Sequence, residues 1–385
     1  MRRPAVTVST ALAAAALLLA AGCSSGGGDP EKSASPSPTS GGSRSAAPSA
    51  SSSPAPAKGS VKVAETVAEN LDSPWGLAPL PGGDLLVSSR DTGKILRVDA
   101  DSGKKTELGT VPGVAAAGEG GLLGIAVPED EEMVYAYFTT ASDNRIVRML
   151  YSADKPQGSQ LGAPDTVLKG IPKGITHNGG RIAFGPDGML YAGTGEGGRE
   201  DLSQDRDSLG GKILRMTPDG EPVHGNPEAD SVVYSFGHRN VQGLDWDKDK
   251  RLWAAEFGQD TWDELNRIEP GKNYGWPEVE GREDGDERFV DPVEQWTTEE
   301  ASPSGIALAE GSVWMASLRG ERLWRIPLDG TEPVAEPQAF LEGKYGRLRT
   351  VVATGDGGLW LVTSETDGRG SPGGADDRIL RLEVS

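Results

Sequence analysis

The chain of 385 residues holds 54 glycines and 27 prolines, only 36% of it is hydrophobic, and its formal net charge is −20. That density of turn-formers, with few long apolar stripes, favours an all-β protein over a helical one. The charge argues against nucleic acid or an anionic membrane surface as a partner, since both need a basic face, and it makes any arginine cluster informative.

Residues 1–22 read as a signal peptide: Arg2 and Arg3 form a basic start, and the run Ala11 to Ala21 is too short and alanine-rich to span a bilayer. Leu19-Ala20-Ala21-Gly22-Cys23 resembles a bacterial lipobox, with leucine one place farther from the cysteine than is usual. Lipidation at Cys23 is therefore expected, an ordinary cleaved signal being the alternative. Cys23 is the only cysteine, which excludes disulfides and thiolate metal sites. Residues 23–60 are mostly Ser, Pro, Ala and Gly and are expected to form a disordered, lipid-anchored tether. At about 5–6 Å × √n, such a tether holds a domain ~35 Å from its anchor. The expected location is exported, anchored at the outer face of a bacterial cell membrane and touching it through the lipid alone.

Within the domain 61–385, between Ser73 and Ser385, one pattern recurs six times: a short apolar strand, a Gly/Asp turn into an aromatic-rich strand, and a strand reading apolar-x-Arg-apolar. The first unit has Trp75-Gly76-Leu77, Asp84-Leu85-Leu86-Val87 and Ile95-Leu96-Arg97-Val98. The third has Arg181-Ile182-Ala183-Phe184, Leu190-Tyr191-Ala192 and Ile213-Leu214-Arg215-Met216, and the sixth closes on Val351-Val352-Ala353, Leu359-Trp360-Leu361 and Ile379-Leu380-Arg381-Leu382. A repeat about every 45 to 60 residues supplies one small antiparallel sheet per unit. Such a sheet cannot bury both faces alone, so a closed ring is predicted: a six-bladed β-propeller of four-stranded antiparallel blades, in preference to a linear solenoid. Most of the nine tryptophans fall in or beside these strands and are expected to pack the blades.

In a propeller the first strand of each blade lines the central channel, so the loops just upstream converge at one mouth. Those loops carry Glu119, His177, Arg239, Asn240, Gln242, Arg347 and Arg349. Convergent ionisable residues on equivalent loops make a candidate pocket. A lone histidine is commonly structural, but His177 sits in the glycine turn Thr176-His177-Asn178-Gly179-Gly180 at the mouth, where it could act as a base. Glu196, in Gly195-Glu196-Gly197-Gly198, can return to the same end and orient it. Arg347 and Arg349, two apart, share one strand face and with Arg239 and Arg319 suit a polycarboxylate, the alternative being ordinary surface ion pairs. The stretch Glu256 to Glu264 joins acidic side chains to a glycine turn, the hard-oxygen chemistry that calcium takes, and composition alone leaves a metal open.

At Gly118-Glu119-Gly120-Gly121-Leu122-Leu123-Gly124, His177-Asn178-Gly179-Gly180-Arg181, Gly237-His238-Arg239-Asn240-Val241-Gln242-Gly243-Leu244, Asp263-Glu264-Leu265-Asn266 and Asn273-Tyr274-Gly275-Trp276-Pro277, the chain resembles the soluble pyrroloquinoline quinone (PQQ) dependent glucose, aldose and sorbosone dehydrogenases, here in a lipoprotein form. The resemblance covers roughly Glu65 to Leu382 and implies a catalytic base at His177 with Glu196 as its orienting carboxylate. It also implies Arg239 at the reacting quinone carbonyl, Asn240 beside it, and Glu119 and Gln242 near the cofactor. Arg319, Arg347 and Arg349 would hold the PQQ carboxylates. Gly258 and Gln259 would give backbone oxygens to a calcium on PQQ, with Asp263, Glu264 and Tyr274 at a second calcium. The implied reaction oxidises an aldose at C1 to its lactone, with His177 as general base, hydride passing to PQQ and electrons going on to a quinone or redox protein. Three residues depart from the family pattern: Glu119 and Phe257 stand where glutamine is common, and Thr176 where glucose-specific members carry aspartate. Glu119 should repel an anionic quinone unless it is protonated or turned toward calcium or arginine. Two other readings are a non-catalytic carbohydrate- or protein-binding propeller and a calcium-dependent lactonase.

Overall fold

The computed structural model describes residues 53–385 except Glu131 and Asp284. The predicted signal peptide, the lipidation site Cys23 and the tether up to residue 52 lie outside the described residues. The strands form six antiparallel sheets, the expected six-bladed propeller. Blade 1 runs Pro74–Pro79, Leu85–Ser89, Lys94–Val98 and Lys105–Thr110, and blade 2 runs Leu122–Ala126, Met133–Thr139, Asn144–Leu150 and Asp165–Ile171. Blade 3 is Ile182–Phe184, Leu190–Gly193, Lys212–Met216 and Val233–Phe236; blade 4 is Val241–Trp246, Leu252–Glu256, Trp262–Ile268 and Glu294–Thr297. In blade 5, Pro303–Ala309, Ser312–Ser317 and Arg322–Asp329 are followed by two short pieces, Glu332–Pro333 and Gln338–Phe340, both paired with the third strand.

Blade 6 takes three strands from the C-terminal end, Leu348–Ala353, Leu359–Thr363 and Ile379–Val384, and its fourth from Val61–Ala68. A strand near the start of the described chain thus closes the ring by ordinary pairing with the C-terminal strand and forms the outer edge of blade 6.

Second strands such as Leu85–Ser89, Leu252–Glu256, Ser312–Ser317 and Leu359–Thr363 are buried along their whole length. A neighbouring blade covers each face of the sheet, so both sides of these strands are apolar and the usual alternation is lost. Hydrophobic clusters lie between consecutive blades all round the ring; one joins Leu86, Ile95 and Leu108 of blade 1 to Leu122, Val134 and Phe138 of blade 2. Most tryptophans pack there, Trp253, Trp296 and Trp324 between blades 4 and 5.

The tether was expected to run to residue 60, but its last residues are docked on blade 5. Ala55 is buried and donates its N–H to the Leu328 carbonyl at 3.0 Å, and the fully buried Arg325 donates to the Pro56 carbonyl at 2.9 Å. Gly59 donates to Gln338 Oε1 at 2.9 Å. A Cβ at Gly59 would lie 2.1 Å from the Ser385 carbonyl, so only glycine passes there. Backbone hydrogen bonds order this stretch, a contribution that apolar composition does not reveal.

Candidate active site

The glycine turn that carries His177 leaves the outer strand of blade 2 and enters the inner strand of blade 3 at one mouth of the channel. His177 itself is in the left-handed region, φ 55°, a conformation that a non-glycine residue keeps only when its surroundings impose it. Two contacts do so: Glu119 Oε2 accepts its N–H at 2.9 Å, and Gly197 N–H donates to its carbonyl at 3.0 Å. A Cβ at Gly195 would stand 2.0 Å from that same carbonyl, which explains the glycine beside Glu196.

The imidazole Nδ1 lies 2.7 and 2.9 Å from the two oxygens of Glu196, which is buried. An ionised carboxylate only accepts, so Nδ1 carries the ring proton and Nε2 presents its lone pair to the cavity. Arg239 Nη2 donates to that Nε2 at 2.9 Å. Arg239 is held in turn by Gln259 Oε1, which takes Nε at 3.0 Å and also Nη2, and by the Phe257 carbonyl at 3.3 Å. Its guanidinium lies 5.4 Å from the Trp276 ring centroid, and its backbone N–H donates to Glu256 at 2.8 Å. Burial holds Arg239 below the usual arginine value despite nearby carboxylates, Glu196 first among them.

His177 and Arg239 open onto a cavity of about 370 Å³ lined also by Trp75, Arg90, Glu119, Thr176, Asn240, Gln242, Phe257, Asp263, Arg319, Arg347, Arg349, Asp367 and Arg369. The predicted pair Arg347 and Arg349 converges on one oxygen, Asp367 Oδ2, at 3.0 and 3.1 Å. Arg349 also donates to Gln242 Oε1 at 3.0 Å, and its buried Nε has no partner among the described residues. Burial, opposed by Asp367 and reinforced by Arg347 and Arg90, brings its guanidinium down to about 10. The Trp75 ring lies 4.5 Å from the guanidinium of Arg181 and 5.7 Å from that of Arg349. Asn240 Oδ1 accepts the Gly179 N–H at 2.9 Å and so pins the histidine turn. Arg319 sits exposed at the rim, 3.2 Å from Glu299. Six arginines and three carboxyls line this cavity. Asp91 pairs Arg90 at 2.7 Å, Glu299 pairs Arg319, and burial pushes Asp263 up to about 7. That leaves Arg239, Arg347, Arg349 and Arg369 against Glu119, Asp367 and Glu196. A surplus of positive charge in an acidic protein selects an anionic ligand.

The oxygen ligands suggested for calcium divide into two groups. Gly258 and Gln259 line the cavity, and among the described residues neither of their carbonyls accepts a hydrogen bond. They are free for a hard cation, with the remaining oxygens of its shell to come from a ligand and water. Asp263 is set apart from the other two, whereas Glu264 and Tyr274 line one small cavity together with Glu256 and Glu280. Neighbours on the strand Trp262–Ile268, Asp263 faces the central cavity and Glu264 the opposite side, as successive strand residues must. Asp263 is occupied by the N–H groups of Gly258 and Ser302, at 2.9 and 2.6 Å. The Tyr274 hydroxyl donates to the Arg267 carbonyl at 2.7 Å and accepts from Glu269 N–H at 2.9 Å. Among the described residues no group of three or more His, Cys, Asp or Glu side chains is arranged to hold a metal ion.

Sequence reasoning missed Arg90, Asp367, Arg369 and the floor residue Trp75. The first three follow the second strand of a blade, as Glu196 and Gln259 do. The rule that brought Glu196 to this mouth finds them when it is applied to every blade. Glu119, expected to repel an anionic ligand, is neutralised by Arg369 at 2.8 Å.

The sequence model of the Glucose / Sorbosone dehydrogenase family matches residues 71–380. The PQQ-bound aldose sugar dehydrogenase of Streptomyces coelicolor is similar, 73% identical with a TM-score of 0.85, over 86% of this chain and 100% of that one. The aldose sugar dehydrogenase YliI of Escherichia coli K12 is 29% identical over 79% of this chain and 90% of its own. Quinoprotein glucose dehydrogenase B of Acinetobacter calcoaceticus is 32% identical over 57% of this chain and 53% of its own. The chain belongs to the glucose / sorbosone dehydrogenase family.

Proposed function

We propose that this protein is a PQQ-dependent dehydrogenase that oxidises an aldose at C1 to its lactone. The observation that carries the reading is the convergence of an excess of arginines on a cavity whose wall holds the His177–Glu196 pair. A ligand with three carboxylates fits that excess, and the unpartnered Nε of Arg349 is a buried donor still to be satisfied. Arg319, Arg347 and Arg349 would hold the carboxylates, with Arg239, Asn240 and Gln242 beside the ring system, and the Gly258 and Gln259 carbonyls would take a calcium ion. The chemistry that PQQ supplies when bound is acceptance of a hydride from C1.

His177 removes the proton of the anomeric hydroxyl at Nε2, while Glu196 keeps the ring in the Nδ1–H tautomer and stabilises the imidazolium that forms. Arg239 must release Nε2 when the hydroxyl arrives, and its charge then favours negative charge developing on a nearby oxygen. Thr176 and Phe257 place no carboxylate or amide beside the base, which supports a broad aldose preference over strict glucose selection. Electrons leave to an external acceptor, a quinone or a redox protein. The leader and Cys23 support export and lipid anchoring, which Cys23→Ala tests by releasing the protein from the membrane fraction.

The test uses purified protein given PQQ and calcium, with dye reduction followed across a panel of aldoses. Activity that requires PQQ and disappears in a folded His177→Ala variant is expected. Absence of both PQQ uptake and dye reduction overturns the reading.

A further inference from the structure

Glu119, on the loop from blade 1 to blade 2, and Arg369, on a loop of blade 6, meet at the cavity rim, Oε1 to Nη2 at 2.8 Å. Glu119 precedes the first strand of blade 2, and Arg369 lies in the loop between Leu359–Thr363 and Ile379–Val384. That loop is held firmly. Glu365 accepts the N–H groups of Arg347 and Ser371, each at 2.6 Å, and Asp377 accepts those of Glu365 and Thr366 at 2.5 and 3.0 Å. Asp367 Oδ1 accepts the N–H of Arg369 itself at 2.9 Å. Arg369 is thus presented to the cavity alongside Arg347 and Arg349.

The second oxygen of Glu119 accepts the N–H of His177 in its left-handed conformation. A glutamine at 119 could make that contact, but its amide group would then face the Arg369 guanidinium, donor against donor. Only an ionised carboxylate serves both partners. An ionised carboxylate in a cavity for a polyanion is repulsive unless it has its own counter-ion. Asp367 has Arg347 and Arg349; Glu119 has Arg369.

We propose that Arg369 is a positioning residue for PQQ binding: by pairing with Glu119 it lets the carboxylate that props the His177 backbone stay charged beside an anionic cofactor. This rests on the PQQ reading above. Both residues are partly open to solvent, so the effect on affinity is moderate and weakens as salt rises.

The test is equilibrium titration of PQQ, in the presence of calcium, into the full-length protein at neutral pH and low salt, followed by tryptophan fluorescence, with apoprotein melting temperatures as a check on folding. Arg369→Gln should weaken PQQ roughly tenfold by exposing one negative charge to it. Glu119→Gln/Arg369→Gln should recover to within about threefold of the wild type, and Arg369→Lys, which keeps the charge, should bind nearly as well. The inference is overturned if Arg369→Gln binds like the wild type, or if the double variant is as weak as Arg369→Gln. Should Arg369→Gln not fold, the double variant decides: binding about tenfold or more below wild type overturns the inference. Wild-type protein that takes up no PQQ would instead sink the functional reading itself.

Discussion

Arg239 Nη2 stands 2.9 Å from Nε2 of His177, so a guanidinium covers the lone pair assigned to take the substrate's proton. The base is therefore set in tautomer and direction from both sides, by Glu196 at Nδ1 and by Arg239 at Nε2. Glu196→Gln breaks the first of these. Its amide can donate to Nδ1, which moves the ring proton to Nε2 and leaves no base facing the cavity. We expect kcat to fall roughly 10²–10⁴-fold with PQQ affinity little changed. A loss confined to KM would contradict the assignment.

Arg349 joins Asp367, Gln242 and the face of Trp75 in one buried group. Arg349→Met leaves Arg347 as the arginine side chain donating to Asp367 and removes a donor aimed at the cavity. The expected result is a PQQ affinity lower by roughly 10- to 100-fold, the range for a charge-assisted hydrogen bond. Arg349→Lys should not rescue it, because an ammonium cannot reproduce the planar fork. Titration of both variants checks this.

Lys212 secures the loop that carries Glu196. Its buried Nζ donates to the carbonyls of Leu202, Ser203 and Gly210 at 2.6, 3.0 and 2.6 Å. Burial pushes this lysine down to about 7, with Asp205 opposing, and the three carbonyl acceptors, which call for all three protons, favour the ammonium form. Lys212→Met strands three carbonyls and should cost about 3 kcal/mol or more, read from denaturant unfolding. A loss under about 1 kcal/mol would mean the loop is held by other contacts.

At the opposite mouth of the channel, burial pushes the Asp245 carboxyl up to about 6, against the N–H groups of Leu308 and Trp246 that it accepts. The folded state keeps a proton there that the unfolded chain releases near its ordinary value of about 4. Its contribution to stability is complete below that value and is lost as pH rises through 6. The stability difference between wild type and Asp245→Asn should therefore shrink from pH 4 to 7 by on the order of 2 kcal/mol, some of the effect being screened by solvent in the cavity that Asp245 lines at that mouth. A difference that stays constant with pH would show that Asp245 is ionised throughout.

The repeat made the blades legible, because a small sheet with two apolar faces leaves a signal in every unit: Leu85-Leu86-Val87, Leu190-Tyr191-Ala192 and Leu359-Trp360-Leu361 all fall on second strands. The same register placed His177, Glu196, Arg239, Arg347 and Arg349 at one mouth, where the structure brings them together. It did not separate Asp263 from Glu264, which are adjacent in sequence but sent to different cavities by the pleat of one strand, Glu264 to the one that Tyr274 also lines. Arg90, Asp367 and Arg369 escaped because their loops carry no motif, and only their position after a second strand marks them.

What the sequence determined by itself was the repeat, the turn chemistry and the residues at equivalent loop positions, all of which depend on local pattern. Tertiary structure alone decided how Val61–Ala68 joins the three C-terminal strands, how residues 53–60 dock on blade 5 and which carboxylate neutralises which arginine. These are contacts between groups as far apart in the chain as Glu119 and Arg369. Their energies depend on distance and burial, and neither is written in the order of the residues.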